Sequence, residues 1–153
     1  MTDHNNNLKN SAAKVKLMGP GGSAEMAIAA LQAGADSVFI GPKGWSRRPK
    51  SDELNDADMY RVIDYGVAHN KDIRVAINVM PAPKEIPLFL CKIEQFANRG
   101  AQGVMLCDPG CIRLVRERFP ELEIHVSVTA GIFNREDIQL FQQLGADIVV
   151  IPY

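Results

Sequence analysis

Short apolar runs alternate with amphipathic helical patterns along this chain, and that alternation carries the predicted fold. One sequence motif occurs three times. In each copy a glycine follows a helical pattern, and a tight turn and four or five apolar residues come after the glycine. The three glycines are Gly34, Gly100 and Gly145. A glycine suits the left-handed position just past a helix end. The apolar run is typical of a strand buried on both faces, as in parallel sheets, so the repeated unit predicts an α/β architecture.

The same patterns, with their turn and cap signals, predict six strands and five helices. The predicted strands are Lys14–Met18, Ser37–Ile40, Ile73–Val79, Gly103–Leu106, Glu123–Val128 and Asp147–Ile151. The predicted helices are Ala24–Gln32, Asp56–His69, Pro87–Asn98, Pro109–Arg118 and Asn134–Gln143, with Ser23 and Asn134 as N-caps. Between the first strand and helix, Gly19–Ser23 is predicted to be a turn.

Six strand–helix units are most of an eight-stranded parallel barrel, so we predict an incomplete (βα) barrel of the TIM type. Residues 1–13 are expected to be a flexible tail, and residues 14–153 the partial barrel domain. A doubly wound sheet is the alternative fold, but the first turn is not G-x-G-x-x-G and no acidic residue clearly ends the second strand. Because open parallel edges are usually covered, we expect a fragment, or a second copy or partner that completes the barrel.

Composition narrows the class of protein without selecting a function. The 153 residues are 46% hydrophobic and 23% charged with a net charge of −1, so no global field draws the chain to nucleic acid or anionic membrane. An apolar run long enough to span a membrane is absent from the sequence, and the polar start lacks a signal-peptide core, so a cytoplasmic location is expected. The three cysteines are expected to be reduced, and no metal site is predicted.

In barrels of this kind, function lies at the carboxyl ends of the strands. After the first strand, Gly21, Gly22 and Ser23 offer backbone amides that could hold an anion, with a tight turn and N-cap as the plainer interpretation. After the second strand, a loop concentrates cations and the single tryptophan, either to bind a carboxylate or phosphate or as a solvated basic loop. The loop candidates are Lys43, Trp45, Arg47 and Arg48.

The third and fifth strands add polar side chains at predicted interior positions. Alternation places Asn78 in the barrel mouth and directs the flanking valines and Ile77 to the helices. His125, Ser127 and Thr129 alternate with valines in the same way, so His125 and Asn78 are the catalytic candidates. A buried polar layer is the alternative for all four. Asp108, which follows the fourth strand, joins the candidate substrate-binding residues.

Several of these segments resemble the collagenase-like peptidase family. The resemblance covers the chain from about Val15 onward. The segments that carry it are Met18–Ser23 with Ala33–Asp36, Gly41–Arg48, Ala76–Asn78, Asp108–Gly110, and His125–Val128 followed by Asn134. Two of them, Val75–Asn78 and His125–Val128, look most like the branch that hydroxylates ubiquinone precursors anaerobically.

The resemblance implies a barrel domain in a protein that hydroxylates RNA bases or ubiquinone precursors without oxygen, drawing the hydroxyl group from prephenate. It also implies an iron–sulfur cluster. The family's cluster cysteines fall beyond the equivalent of Tyr153, and Cys107 and Cys111 do not match them. No cofactor is therefore expected in this chain alone, and a cluster is expected only in a longer form or a complex.

Three functions follow as hypotheses. The first is the barrel part of an oxygen-independent hydroxylase, in which Arg47, Arg48 and the first glycine turn hold a small carboxylate or phosphate. The second is a peptidase, as the family name implies, although no HExxH motif or nucleophile–base pair is evident. The third is a non-catalytic binding or assembly module completed by a partner or a second copy. RNA is a further possible partner.

Overall fold

The computed structural model describes residues 15–152, which form six parallel strands and five α-helices. The strands are β1 (Met18–Gly21), β2 (Ser37–Ile40), β3 (Asp72–Ala76), β4 (Gly103–Leu106), β5 (Glu123–Val126) and β6 (Ile148–Val149). The helices are α1 (Ala24–Gln32), α2 (Asp56–Ala68), α3 (Ile86–Arg99), α4 (Pro109–Arg118) and α5 (Arg135–Gln143).

The strands follow one another in the sheet in the order β1-β2-β3-β4-β5-β6, and every neighbouring pair is parallel. In a doubly wound sheet the first strand lies inside the sheet and the order reverses there. Sequential order without reversal is the topology of a barrel wall. The predicted fold class is therefore confirmed as a half-barrel of six parallel strands and five helices, and the doubly wound alternative is wrong.

The hydrophobic core lies between the sheet and the helices. Alternate strand residues such as Val38, Val75 and Ile124 are fully buried there, against helix residues such as Ile63 and Phe96. Because strand side chains alternate between faces, the other residues of each strand face the inside of the half-barrel. Those interior positions carry most of the polar and charged side chains described below.

Side-chain caps fix where four helices begin, among them α2, where Asn55 Oδ1 accepts from the Asp58 amide at 2.9 Å. Ser23 Oγ accepts a hydrogen bond from Met26 N at 3.2 Å, and Asn134 Oδ1 accepts from the backbone amides of Glu136 and Asp137. Both predicted N-caps are confirmed. Asp108 also caps a helix, because its Oδ1 accepts from the backbone amide of Cys111 at 2.8 Å.

The first strand begins later than predicted and takes in part of the predicted turn. Lys14 lies outside the described residues, and β1 begins at Met18 and continues through Gly21. A Cβ atom at Gly21 would lie 2.7 Å from the Ala27 Cβ and 2.8 Å from the Ile40 Cγ2. Glycine is thus required where α1 and β2 press on this strand, and the turn shortens to Gly22 and Ser23.

The third, fifth and sixth strands are shorter than predicted. Beyond Ala76 and Val126 the backbone leaves the sheet. Residues Val128–Ala130 form a single 3-10 turn, closed by a hydrogen bond from Ala130 N to Ser127 O at 2.9 Å. Val128 is consequently 44% exposed, so its predicted direction toward the helices is wrong.

Candidate ligand-binding mouth

A cleft of about 320 Å³ opens at the carboxyl ends of the strands, on the inside of the half-barrel. We call it the mouth. Eleven residues line it: Met18, Phe39, Arg47, Arg48, Ala76, Asn78, Met105, Ser127, Val128, Thr129 and Val150. The lining combines an apolar floor from the strand interiors with polar groups from the loops that follow them. Such a combination suits a small molecule with an apolar body and a polar or charged group.

A chain of hydrogen bonds crosses the mouth and links three loops. The backbone N–H of Arg47 donates to Asn78 Oδ1 at 3.0 Å, and Asn78 Nδ2 donates to Ser127 Oγ at 3.1 Å. Thr129 Oγ1 lies 3.1 Å from the same Ser127 oxygen. The structure therefore brings together four of the predicted site residues: Arg47, Asn78, Ser127 and Thr129.

Arg48 is held at the floor of the mouth. Its Nη2 donates to the Phe39 carbonyl oxygen at 3.3 Å, and its guanidinium carbon lies 4.6 Å from the centre of the Phe39 ring. Among the described residues, Arg48 Nε is buried and has no hydrogen-bond partner. Burial lowers the pKa of Arg48 and the nearby Asp52 carboxylate opposes that shift. An arginine so placed still carries its positive charge near neutral pH.

The loop that carries both arginines is anchored from behind. Glu53 accepts hydrogen bonds from the Gly44 amide and the Ser46 hydroxyl, each at 3.2 Å. Trp45 packs against Phe89 with ring centres 6.2 Å apart, so the structure places the indole beside the helical layer and outside the mouth lining. Lys43 is exposed and also lies outside the lining.

The remaining turn candidates are occupied locally. Gly21 belongs to β1, and the Ser23 hydroxyl accepts from the Met26 amide. Asp108 accepts from the Cys111 amide. These residues, together with Gly22, lie outside the mouth lining. Their predicted role in substrate binding stays a prediction, and the plainer interpretation, a tight turn and N-caps, describes their contacts.

His125 belongs to a second polar group in the interior, nearer the amino ends of the strands. We call the four residues Asp72, Arg74, Glu123 and His125 the base cluster. Arg74 crosses from β3 to β5, where its Nε lies 3.1 Å from His125 Nε2 and its Nη2 lies 2.7 Å from Glu123 Oε1. Its Nη2 also lies 3.4 Å from Asp72 Oδ2.

The expected placement of His125 in the mouth is corrected by these contacts. The ring is only 3% exposed and is absent from the mouth lining. Burial is the main cause of its lowered pKa, which the neighbouring Glu123 carboxylate partly offsets. The ring is therefore neutral near neutral pH, and a catalytic role for it stays a prediction.

Sequence reasoning missed Arg74, Met18 and Phe39. Arg74 is the sole charged residue inside the apolar run from Ile73 to Ile77, at an interior position of the strand alternation. A charge at such a position is costly unless it is paired, so the lone arginine was a signal for buried acidic partners. Phe39 stands between Val38 and Ile40, whose side chains face the helices. Strand alternation alone therefore placed Phe39 on the inner face.

The cysteines do not fit an iron–sulfur cluster. Cys107 donates its S–H to the Asn78 carbonyl oxygen at 3.1 Å, and burial raises its pKa. Burial and the Asp108 carboxylate raise the pKa of Cys111 to about 12, while Cys91 is exposed. A cluster takes four thiolates. In residues 15–152, no three histidine, cysteine or acidic side chains group as metal ligands.

No helix in the described part of the chain is both long and apolar enough to cross a membrane.

Comparison with known proteins places the chain among characterised families. Residues 22–153 match the sequence model of Peptidase family U32. The tRNA hydroxylation protein P of Escherichia coli (strain K12) is 31% identical over 138 residues, which cover 90% of this chain and 30% of that protein. A collagenase of Porphyromonas gingivalis (strain ATCC BAA-308 / W83) is 26% identical over 139 residues, covering 89% of this chain and 32% of the collagenase.

Among solved structures, the U32 peptidase Mk0906 superposes with a TM-score of 0.78 at 15% identity, over 94% of this chain and 60% of that one. This likeness supports the fold. The chain spans about a third of the length of the curated relatives it matches. The resemblance to collagenase-like peptidases predicted from the loop residues is confirmed.

Proposed function

The chain belongs to peptidase family U32, and from that premise we propose that it forms the ligand-binding barrel segment of a protein that hydroxylates RNA bases without oxygen. The name of the Escherichia coli relative supports an RNA substrate. Two further parts of the proposal, independence from oxygen and a carboxylate that donates the hydroxyl group, rest on the resemblance of the loop residues to the collagenase-like peptidase family. A ubiquinone precursor as substrate stays a prediction. Measuring RNA nucleosides and quinones in the same cultures distinguishes the two substrates.

The single observation that carries the proposal is the mouth itself. Arg47 at the rim and Arg48 at the floor bring two positive charges to the mouth, and Asn78, Ser127 and Thr129 add neutral polar groups. Met18, Phe39, Met105 and Val150 supply apolar surface beneath them. Prephenate carries one carboxylate on its ring and a second on its pyruvyl side chain, and apart from one hydroxyl the ring is hydrocarbon. Its charged groups therefore match the arginines, and the hydrocarbon part of its ring matches the apolar floor.

The charge on Arg47 supports an anionic ligand. Its side chain lines the mouth and is exposed, and it forms no ion pair within residues 15–152. Arg74 in the base cluster, by contrast, is paired with Glu123. An exposed guanidinium beside apolar surface offers two parallel N–H donors, which match the geometry of a carboxylate.

A peptidase mechanism receives little support from the same geometry. Ser127 has Asn78 and Thr129 as its side-chain partners, and Cys107 donates to a carbonyl oxygen. Nucleophilic catalysis needs a base within hydrogen-bond reach of the nucleophile. His125, which has the chemistry of a base, is bound instead to Arg74 and Glu123.

Redox chemistry is not assigned to the described residues, because their cysteines do not form a cluster site. The role proposed for them is to bind and orient the carboxylate-bearing molecule. We assign the oxidation chemistry to the cofactor predicted for a longer form or a complex.

Isothermal titration calorimetry with prephenate tests the binding role. The chain is expected to bind prephenate, and Arg47→Ala is expected to weaken binding about tenfold or more by removing a charged hydrogen-bond donor. Arg113→Ala is the matched control, because Arg113 pairs with Glu117 on the outer face of α4. Equal affinity in Arg47→Ala and the wild type, or no binding by either, contradicts the proposal.

Mass spectrometry of RNA nucleosides tests the reaction. Strains with and without the gene, grown without oxygen, are expected to differ in a nucleoside that has gained one oxygen atom. The quinone pool of the same cultures is measured in parallel. An unchanged nucleoside profile with an altered quinone pool would favour the ubiquinone precursor, and no change in either would overturn the hydroxylation proposal.

Completion of the barrel by a partner or a second copy also remains a proposal. Exposed apolar side chains at both edges of the sheet support it: Leu17 beside β1, Ile148 in β6 and Ile151 after it. Light scattering gives the mass in solution. A stable monomer over a wide concentration range would count against a second copy.

A further inference from the structure

The orientation of the Asn78 amide is settled by a backbone group. The Arg47 main-chain N–H can only donate, so the Asn78 atom 3.0 Å from it must be the carbonyl oxygen. The amide nitrogen then faces Ser127 Oγ at 3.1 Å. Because an amide NH₂ has no acceptor capacity, the Ser127 oxygen accepts this hydrogen bond and its proton is directed elsewhere.

The Ser127 and Thr129 hydroxyls carry two protons, and the hydrogen bond between them takes only one of these. The two oxygens are 3.1 Å apart, and either hydroxyl can donate across this contact. When Thr129 donates, Ser127 accepts twice and retains one O–H with no acceptor among these contacts. The Cys107 sulfur beside Thr129 is a weak acceptor and competes poorly with an anionic oxygen.

We infer that Ser127 donates its hydroxyl proton to an anionic oxygen of the ligand at the mouth, and that Asn78 is the positioning residue that keeps this donor aimed there. The inference rests on the proposed function, since it assigns a donor to the same carboxylate site. Ser127 lines the mouth yet is only 3% exposed. A donor so shielded from water forms a stronger hydrogen bond to an anion than an exposed one does.

This arrangement also makes the mouth selective. Asn78 connects the arginine loop to Ser127, so the charged groups and the hydroxyl donor are held in one geometry. Arg47 and Ser127, the two groups assigned to the ligand, both donate hydrogen bonds. A carboxylate therefore fits, whereas an amide or ester of the same shape leaves donors poorly satisfied.

The test compares prephenate with its dimethyl ester by calorimetry on the full chain. Ser127→Ala is expected to weaken prephenate binding about tenfold or more, the effect of one hydrogen bond to a charged group, and to change ester binding less than threefold. Asn78→Asp is expected to weaken it further, because its carboxylate still accepts from the Arg47 amide but now also accepts the Ser127 proton. Arg113→Ala, which lies outside the mouth, is expected to change prephenate binding less than threefold.

Ser127→Cys restores a weak donor at the same position and is expected to fall between Ser127→Ala and the wild type, which a merely structural role would not produce. Thermal unfolding of each variant verifies that it is folded. If the wild type and Arg113→Ala bind prephenate, Arg47→Ala loses it, and Ser127→Ala binds like the wild type, the inference is overturned and the proposed function stands. If the wild type does not bind prephenate, both are overturned.

Discussion

At the base of the half-barrel, Arg74 is 6% exposed and its guanidinium lies against the carboxylates of Glu123 and Asp72. At the mouth, by contrast, Arg47 extends from a loop and has no acidic partner in the described chain. Arg74 lies on the inner face of the sheet, and Arg47 reaches the inside of the same half-barrel from the loop after β2. At one end the positive charge is neutralised within the protein, and at the other it is left available.

The difference separates a structural use of arginine from a binding use. A buried charge must be paired or it destabilises the fold, so the base cluster stabilises the wall only while it is complete. An exposed charge costs little to maintain and gains energy when an anion arrives. Substitutions in the two regions are therefore expected to affect different measurements: the free energy of unfolding at the base and the affinity for carboxylates at the mouth.

Arg74→Met is expected to have the largest effect on stability. It leaves the Glu123 carboxylate without its cationic partner, removes the Arg74 contact of the buried His125 ring, and leaves Asp72 with Lys16 as its remaining cation. Both carboxylates are about one-third exposed, which softens the loss to roughly 2–4 kcal/mol in the free energy of unfolding. Urea denaturation measures it. Arg113→Ala, which breaks an exposed pair, is expected to change the free energy by less than about 0.5 kcal/mol; a comparable loss in both variants would contradict the contrast.

Gly103→Ala is expected to cost roughly 1–3 kcal/mol, because overpacking of a tight site forces its neighbours to move. The added Cβ would lie 2.7 Å from the Glu123 carbonyl oxygen and 2.8 Å from Arg74 Cδ. Arg74 passes over β4 at this residue on its way to β5. Gly22→Ala is the control, since its Cβ would meet nothing closer than 3.6 Å. Urea denaturation of both variants gives the comparison, and equal stability of the two would show that the passage is not tight.

The pH dependence of stability is expected to report on His125. Burial lowers its pKa in the folded protein below the ordinary value of 6.5. Between that lowered pKa and 6.5 the unfolded chain binds more protons than the folded one, so stability rises with pH across this window and is lost as pH falls through it. The slope is at most about 1.4 kcal/mol per pH unit. His125→Gln is expected to flatten the melting-temperature profile below about pH 6.5. An unchanged profile would contradict the assignment.

Salt concentration is expected to affect the two regions differently, and this is the smallest of the expected effects. Raising NaCl from about 0.05 to 0.5 M shortens the screening length from roughly 14 to 4 Å, which weakens attraction between exposed charges more than between buried ones. Prephenate affinity is expected to fall several-fold, while the stability lost in Arg74→Met changes little. Titrations and urea curves at both salt concentrations measure this. An affinity insensitive to salt would argue against binding through the Arg47 charge.

The fold could be predicted from the sequence because each strand–helix unit repeats the same local signals. Gly100 ends α3 in the left-handed conformation, and Ser23 and Asn134 cap helices as their positions indicated. Strand ends were less predictable. Where the chain leaves β5, Ser127 Oγ accepts a hydrogen bond from Asn78, which is 49 residues away. No local pattern contains that contact.

Several residues of the candidate site could be predicted from the sequence, but which of them lie together could be predicted less well. Alternation correctly brought Asn78 and Ser127 to the inner face, and the cationic loop reached the same mouth. Alternation sets the face of a side chain and leaves its depth along the barrel open, so His125 was assigned to the mouth although Arg74 draws it to the base. The sequence placed Trp45 in the candidate ligand loop, but its contact with Phe89 of α3 depends on how that helix packs.

The sequential order of the strands bears on how the chain is made. Each strand pairs with the one synthesised immediately before it, so every strand finds its partner already present as it leaves the ribosome. A doubly wound sheet, by contrast, begins with a strand whose second neighbour comes much later. Growth of this wall from one end lets the first units dock while later ones are still being translated, and the Arg74 bridge from β3 to β5 is expected to form only after two further strands have been added.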